Sequence, residues 1–155
     1  HIDKIKDIED EIRSITHELS KETFSKSNSF TSLLTQLIEQ QNQLHTTEFN
    51  LELDAKINWD SIASEIKMNY YRIIQEALHN SNKYAKATKA TVSLLLEENK
   101  LRLSISDNGQ GFETNTTKQG IGIQNMQQRI TAINGEITIN SAPGKGTVIN
   151  CSVVV

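Results

Sequence analysis

The run Glu76-Ala-Leu-His-Asn80, followed by Lys83 and Tyr84, places a carboxylate, a carboxamide and an ammonium close together in sequence. On a helix, positions 76, 80, 83 and 84 fall on one stripe by the i, i+4, i+7, i+8 rule. Hard oxygen donors so placed can hold a hydrated Mg²⁺, which keeps several waters and needs only one or two side chains. Lys83 on the same stripe can face triphosphate oxygens. On this segment alone, a solvated helix face with a Glu–Asn–Lys ladder is the commoner explanation.

Three glycine-bearing stretches follow. Asp107-Asn-Gly109-Gln-Gly111-Phe112 closes an alternating run. An ionised Asp107 accepts strongly from an exocyclic amine. Gly109 and Gly111 let backbone approach a flat ring or turn sharply; the same Asp-Asn-Gly also makes a plain turn. Gly120-Ile121-Gly122-Ile123-Gln-Asn125-Met126 leads into a helix, whose first N–H groups suit an anion. It is not the dinucleotide fingerprint, since Asn125 stands at the third glycine and no strand runs into Gly120. A flexible loop exit would explain it as well. Gly144-Lys-Gly146-Thr147 reads as a tight hairpin without P-loop spacing. Thr147 gains chemical interest only if the sheet sets it beside Asp107. His1, His45 and His79 have no partners at catalytic or metal spacing. Ser141 has no triad context, and Trp59 and Tyr71 read as packing residues.

The elements that must position these groups follow from periodicity. Ile5, Ile8, Ile12, Ile15 and Leu19 form a heptad seam, predicting a helical arm over residues 1–25. The globular unit then spans 26–155. It starts with a helix from Phe30 to about His45, with Phe30, Leu33, Leu34, Leu37 and Ile38 on one face. A period-two strand begins at Phe49. A helix capped at Asp60 or Ser61 runs to about Tyr84, with Ile66, Ile73, Ile74, Ala77 and Leu78 inward. Strands at 90–97 and 100–106, a helix at 121–134 stopped by Gly135, and strands at 136–140 and 147–155 complete it. The pattern predicts an α+β fold: a two-layer α/β sandwich with helices on one face of a mixed sheet, plus the N-terminal helical arm.

Of 155 residues, 36% are apolar, and 16 basic against 19 acidic residues give a net charge of −3. That balance argues against a nucleic-acid-coating surface. No run of twenty apolar residues is present, so no membrane span or direct membrane contact is expected. His1 opens the chain without a charged-then-apolar leader, so no signal peptide is expected. Cys151 is the sole cysteine; a small buried hydrophobe and a reducing, cytoplasmic setting are expected.

In combination and order, these segments resemble the sensor histidine kinases of two-component systems. Tyr71 to Ala87 resembles their N-box, most of all in the branch that pairs with helix-turn-helix response regulators. Asp107-x-Gly109-x-Gly111-Phe112 resembles their first glycine box, and Gly120-Ile-Gly122-Ile-Gln-Asn125-Met-Gln-Gln-Arg129 their second. Ser141-x-x-Gly144-x-Gly146-Thr147 resembles the closing glycine-threonine element. The resemblance covers roughly residues 50–155.

What the resemblance implies is a Bergerat-type ATP site, as in the heat-shock chaperone ATPases and the gyrase B subunit. Asn80, with Glu76, would ligate Mg²⁺. Lys83 and Tyr84 would face the phosphates, Tyr84 standing where this branch usually has His. Asp107 would bind the adenine amine, with Thr147 assisting through water. Gly109, Gly111, Gly120, Ile121, Gly122 and Ile123 would shape the pocket, with 113–119 as a short lid. Glu76, Asn80 and Lys83 would carry catalysis, passing the ATP γ-phosphoryl to a histidine and then to a response regulator receiver domain. The parent would be a homodimer anchored in the inner membrane, with its own phosphoacceptor helix upstream. An ATPase using Glu76 to activate water, and a nucleotide-sensing domain without catalysis, stay open. His17-Glu18 matches the bare acceptor dipeptide, but Glu11, Ser14 and Glu22 stand where the branch carries Arg, Arg and Gln. Too few positions separate His17 from Asn80 for two hairpin helices. His17 is expected on a helix surface, and the chain alone is not expected to phosphorylate itself.

Overall fold

The computed structural model describes residues 27–44, 47–83, 85–112 and 120–155. The expected arm over 1–25 with His17, residues His1, His45 and Tyr84, and the 113–119 loop lie outside the described residues.

The elements run α1 (Ser27–Leu44), β1 (Glu48–Leu53), α2 (Ser64–Lys83), β2 (Lys89–Glu97), β3 (Lys100–Asp107), α3 (Ile121–Ala132), β4 (Glu136–Ser141) and β5 (Thr147–Val154). The five strands form one sheet in the order β1-β2-β3-β5-β4. β1 pairs parallel with β2, and the other pairs are antiparallel. This is the expected α+β sandwich on a mixed sheet.

Alternation decides which face is covered. Val92 and Leu94, Leu101 to Ile105, and Ile149 to Val153 bury every second side chain against the helices. Ile73, Ile74, Ala77 and Leu78 of α2 meet them, with Phe30, Leu34, Leu37 and Ile38 of α1 and Met126 and Ile130 of α3. On the other face, Ser93, Ser104, Asn150 and Thr138 stand in register across four strands. Hydroxyls and amides there let that face meet water, as antiparallel sheets allow. The Tyr70 hydroxyl donates to Leu101 O at 2.6 Å, fastening α2 to β3. Asn42 of α1 pairs with the backbone of Phe49, donating to its carbonyl and accepting from its N–H. One amide side chain thus imitates a strand partner at the sheet edge.

The first helix starts at Ser27 rather than Phe30, and two further boundaries differ from expectation for visible reasons. The cap at Asp60 or Ser61 is instead a separate 3₁₀ turn, Trp59–Ser61, closed by the Asn58 side chain on Asp60 N. Ile62 then turns extended to bury its side chain, so α2 starts only at Ser64. The turn is pinned from both sides. Trp59 packs on Phe30 with ring centroids 4.7 Å apart, and buried Lys67 donates to Trp59 O. Desolvation lowers the Lys67 pKa. At the other boundary, α3 ends at Ala132 rather than 134. Gly135 N bonds to Ile130 O and Asn134 N to Thr131 O, with Asn134 left-handed at φ 58. That is a Schellman stop.

Candidate functional site

The C-terminal half of α2, the end of β3, the start of α3 and the β4–β5 turn converge at one edge of the helix-covered face. Each brings one of the singled-out segments.

At the end of β3, Asp107 is half-buried and both its carboxylate oxygens are engaged. Oδ1 accepts from Gly109 N at 2.9 Å, and Oδ2 accepts from the Ser81 hydroxyl at 2.9 Å. Ser81 is 2% exposed. Two donors fix the plane of the carboxylate while leaving each oxygen a lone pair. Thr147 is the direct cross-strand neighbour of Asp107, and Ser141 that of Thr147. Directly paired residues project on the same face, so a carboxylate and two hydroxyls line up across three strands. Ser141 Oγ lies 2.9 Å from Thr147 Oγ1, and it also accepts from Phe112 N at 2.9 Å.

The glycines seat loops on one another. A Cβ on Gly111 would strike Ala142 O, one on Gly146 would strike Asp107 O, and both glycines have positive φ. A Cβ on Gly109 would meet the backbone of Ala85, which also accepts Gln110 N at 2.7 Å. Asn108 locks the same corner, its Oδ1 accepting from Thr88 N and Lys89 N. The Asp-Asn-Gly run therefore works as a turn and as a carboxylate mount together.

At the other end of the site, Glu76 and Asn80 share a stripe on α2 and face Gly122. A Cβ there would strike Glu76 Oε1 and crowd Asn80 Nδ2. Gly120 caps α3 with no side-chain hydrogen bond, so the positive end of that helix opens beside Glu76 and Asn80. Lys83 is exposed at the last turn of α2. Ile121 is 77% exposed, whereas Ile123 packs against the core. Gly120 meets nothing within 4 Å of its would-be Cβ.

The structure thus brings Glu76, Asn80, Asp107, Gly109, Gly111, Gly122 and Thr147 into one region. Ser81 was missed by sequence reading, and Ser141 was recognised only as part of a motif. The signal for Ser81 was available: it follows Asn80 on α2, rotated one step toward the sheet.

The arrangement has two poles. An acceptor row suits an amine-bearing ring, and an acidic–amide stripe opposite a helix N-terminus suits a metal-bound anion. Among the described residues, no three His, Cys, Asp or Glu lie together as a metal cage. Glu76 and Asn80 nevertheless offer the few hard oxygens that Mg²⁺ takes from protein when water and phosphate supply the rest.

The chain is similar to known proteins in both sequence and fold. The family described as histidine kinase-, DNA gyrase B-, and HSP90-like ATPase matches residues 66–154. Sensor histidine kinase LiaS of Bacillus subtilis is 36% identical over 111 residues, covering 68% of this chain and 31% of that protein. Oxygen sensor histidine kinase NreB of Staphylococcus carnosus is 37% identical over 92 residues, covering 58% and 26%. The chain spans less than a third of these relatives. Among solved structures, histidine kinase AdeS of Acinetobacter baumannii has a TM-score of 0.64 at 15% identity, covering 97% of this chain and 83% of that one. The histidine kinase domain of the Erythrobacter litoralis EL346 blue-light activated kinase also has a TM-score of 0.64, with 83% and 60% covered. At such identities the likeness is one of fold. No helix among the described residues is long and apolar enough to cross a membrane.

Proposed function

Because this chain belongs to the histidine kinase-, DNA gyrase B- and HSP90-like ATPase family, as an ATP-binding catalytic domain of the sensor histidine kinase type, we propose that it delivers the ATP γ-phosphoryl to a histidine elsewhere in its parent. The group would pass on to an aspartate of a response regulator receiver domain. One observation carries the reading: Asp107, held by Ser81 and Gly109 beside Thr147, stands across the site from the Glu76–Asn80 stripe and the open N-terminus of α3.

In this reading Asp107 accepts from the adenine amine and Thr147 assists through water. Gly109 and Gly111 hold the loop that carries Asp107. Lys83 faces the phosphates, a role the resemblance also gives Tyr84, and the amides after Gly120 receive an anionic oxygen. Glu76 and Asn80 hold Mg²⁺, which neutralises charge on the triphosphate when bound. The acceptor imidazole nitrogen donates its lone pair to the γ-phosphorus. The bond from that phosphorus to the β–γ bridging oxygen breaks, and ADP leaves with the electron pair. The imidazole N–H proton passes to a base or to solvent. Catalysis by the chain's own residues is then positioning and electrostatic stabilisation.

The acceptor histidine sits on a separate helix of the parent, not at His17. We further infer that the parent is a membrane-anchored homodimer with this domain on its cytoplasmic side. A second reading rests on Glu76, whose carboxylate faces the phosphate pole beside Gly122: it could activate water, making the domain an ATPase. Supplying an acceptor helix hairpin with labelled ATP and magnesium separates the two. Acid-labile phosphate on the hairpin supports the kinase; free phosphate alone supports the ATPase.

A further inference from the structure

Ser141 has one hydroxyl proton and three neighbours. Phe112 N donates to Oγ at 2.9 Å, Gly146 O lies 3.0 Å away, and Thr147 Oγ1 lies 2.9 Å away. Gly146 O is a carbonyl and can only accept, and Gly146 is itself buried. Leaving a buried carbonyl unpaired is costly, so the Ser141 proton belongs to Gly146 O. The Ser141–Thr147 contact must then run the other way, with Thr147 as donor. The proton of Thr147 is consumed by this bond, and its remaining lone pair is what it presents beside Asp107. Asp107 is a carboxylate and presents only acceptors as well.

We propose that Ser141 is a specificity-determining residue that acts through Thr147, keeping this part of the nucleotide site an acceptor-only surface that rejects 6-oxopurines. The inference rests on the reading of Asp107 as the residue facing the base. A 6-amino purine offers protons to such a surface, directly or through water. A 6-oxo purine places its carbonyl oxygen directly against the Asp107 carboxylate with no proton between them. Sites of fixed hydrogen-bond polarity discriminate strongly, because a mismatched partner leaves desolvated groups unpaired. Without the Ser141 hydroxyl, Thr147 is free to rotate its proton toward the base and donate to a 6-carbonyl.

The test compares affinities for ATP and inosine triphosphate, which carries a 6-oxo group in place of the amine and a proton at N1. For Ser141→Ala, the preference for ATP should fall about tenfold, mainly because inosine triphosphate binds better. The isosteric pair Ser141→Thr and Ser141→Val repeats the test with matched shape and covers the case in which alanine disturbs folding. Thr should keep the wild-type preference and Val should lose it. An unchanged preference in both Ala and Val, or equal weakening of both nucleotides, would overturn the proposal and leave Ser141 a structural tether for Phe112. Asp107→Asn is the control for the reading beneath it: ATP binding undiminished in that variant would remove the base assignment, whatever Ser141 does.

Discussion

The Ser81 hydroxyl donates to Asp107 Oδ2 at 2.9 Å, from a side chain that is 2% exposed. It links the helix carrying Glu76 and Asn80 directly to the strand end that carries the acceptor. A hydrogen bond to a charged group contributes about 1.5–3 kcal/mol, and in this part-buried pair some of that goes into fixing the carboxylate plane. Ser81→Ala should therefore weaken ATP binding about tenfold while leaving phosphotransfer at saturating ATP near wild type. Isothermal titration and a saturation series check this. A lowered rate at saturation with unchanged affinity would contradict it.

Gly122 gives a prediction in which stability and activity move in opposite directions. Alanine favours a helix over glycine by about 1 kcal/mol, so Gly122→Ala should unfold no more easily than wild type. Its Cβ would nonetheless strike Glu76 Oε1 and crowd Asn80 Nδ2. ATP affinity measured with magnesium should fall toward the value measured in a chelator. A variant that keeps the full magnesium-dependent gain would show that the pair does not hold the metal.

Most of the architecture was legible because its cues are local. The apolar period of Phe30, Leu34, Leu37 and Ile38 marks α1, and period-two runs mark the strands. The parallel pairing of β1 with β2 was not legible, since it joins segments separated by all of α2. The start of α2 was misplaced because Asn58 and Ile62 impose a 3₁₀ turn that a capping pattern does not reveal. In the site, each glycine segment announced itself, whereas Ser81 meets a partner 26 positions away. The role of Ser141 depends on hydrogen-bond direction between two strand ends and the loops at Phe112 and Gly146, which no linear motif encodes.

Burial pushes the Cys151 thiol up to about 12 from an ordinary 9.0. In the unfolded chain the thiol loses its proton above about pH 9, while the folded domain keeps it. The unfolded state then binds fewer protons, so stability falls as pH rises through this window, by up to about 1.4 kcal/mol per pH unit. Denaturant midpoints at about pH 8 and about pH 10 should show this drop in wild type, and Cys151→Ala should remove most of it. An equally steep fall in the variant would assign the effect elsewhere. Burial also raises the Tyr70 phenol, adding a fall of the same sign at still higher pH.

The central claim is that the carboxylate of Asp107 reads the base of ATP. Asn at this position offers at best a neutral acceptor and at worst a donor facing the amine. Titrating a fluorescent ATP analogue with magnesium into wild type and Asp107→Asn, both confirmed folded by circular dichroism, measures it directly. The account predicts at least a hundredfold loss of affinity, about 2.7 kcal/mol; equal affinity in the two proteins would contradict it.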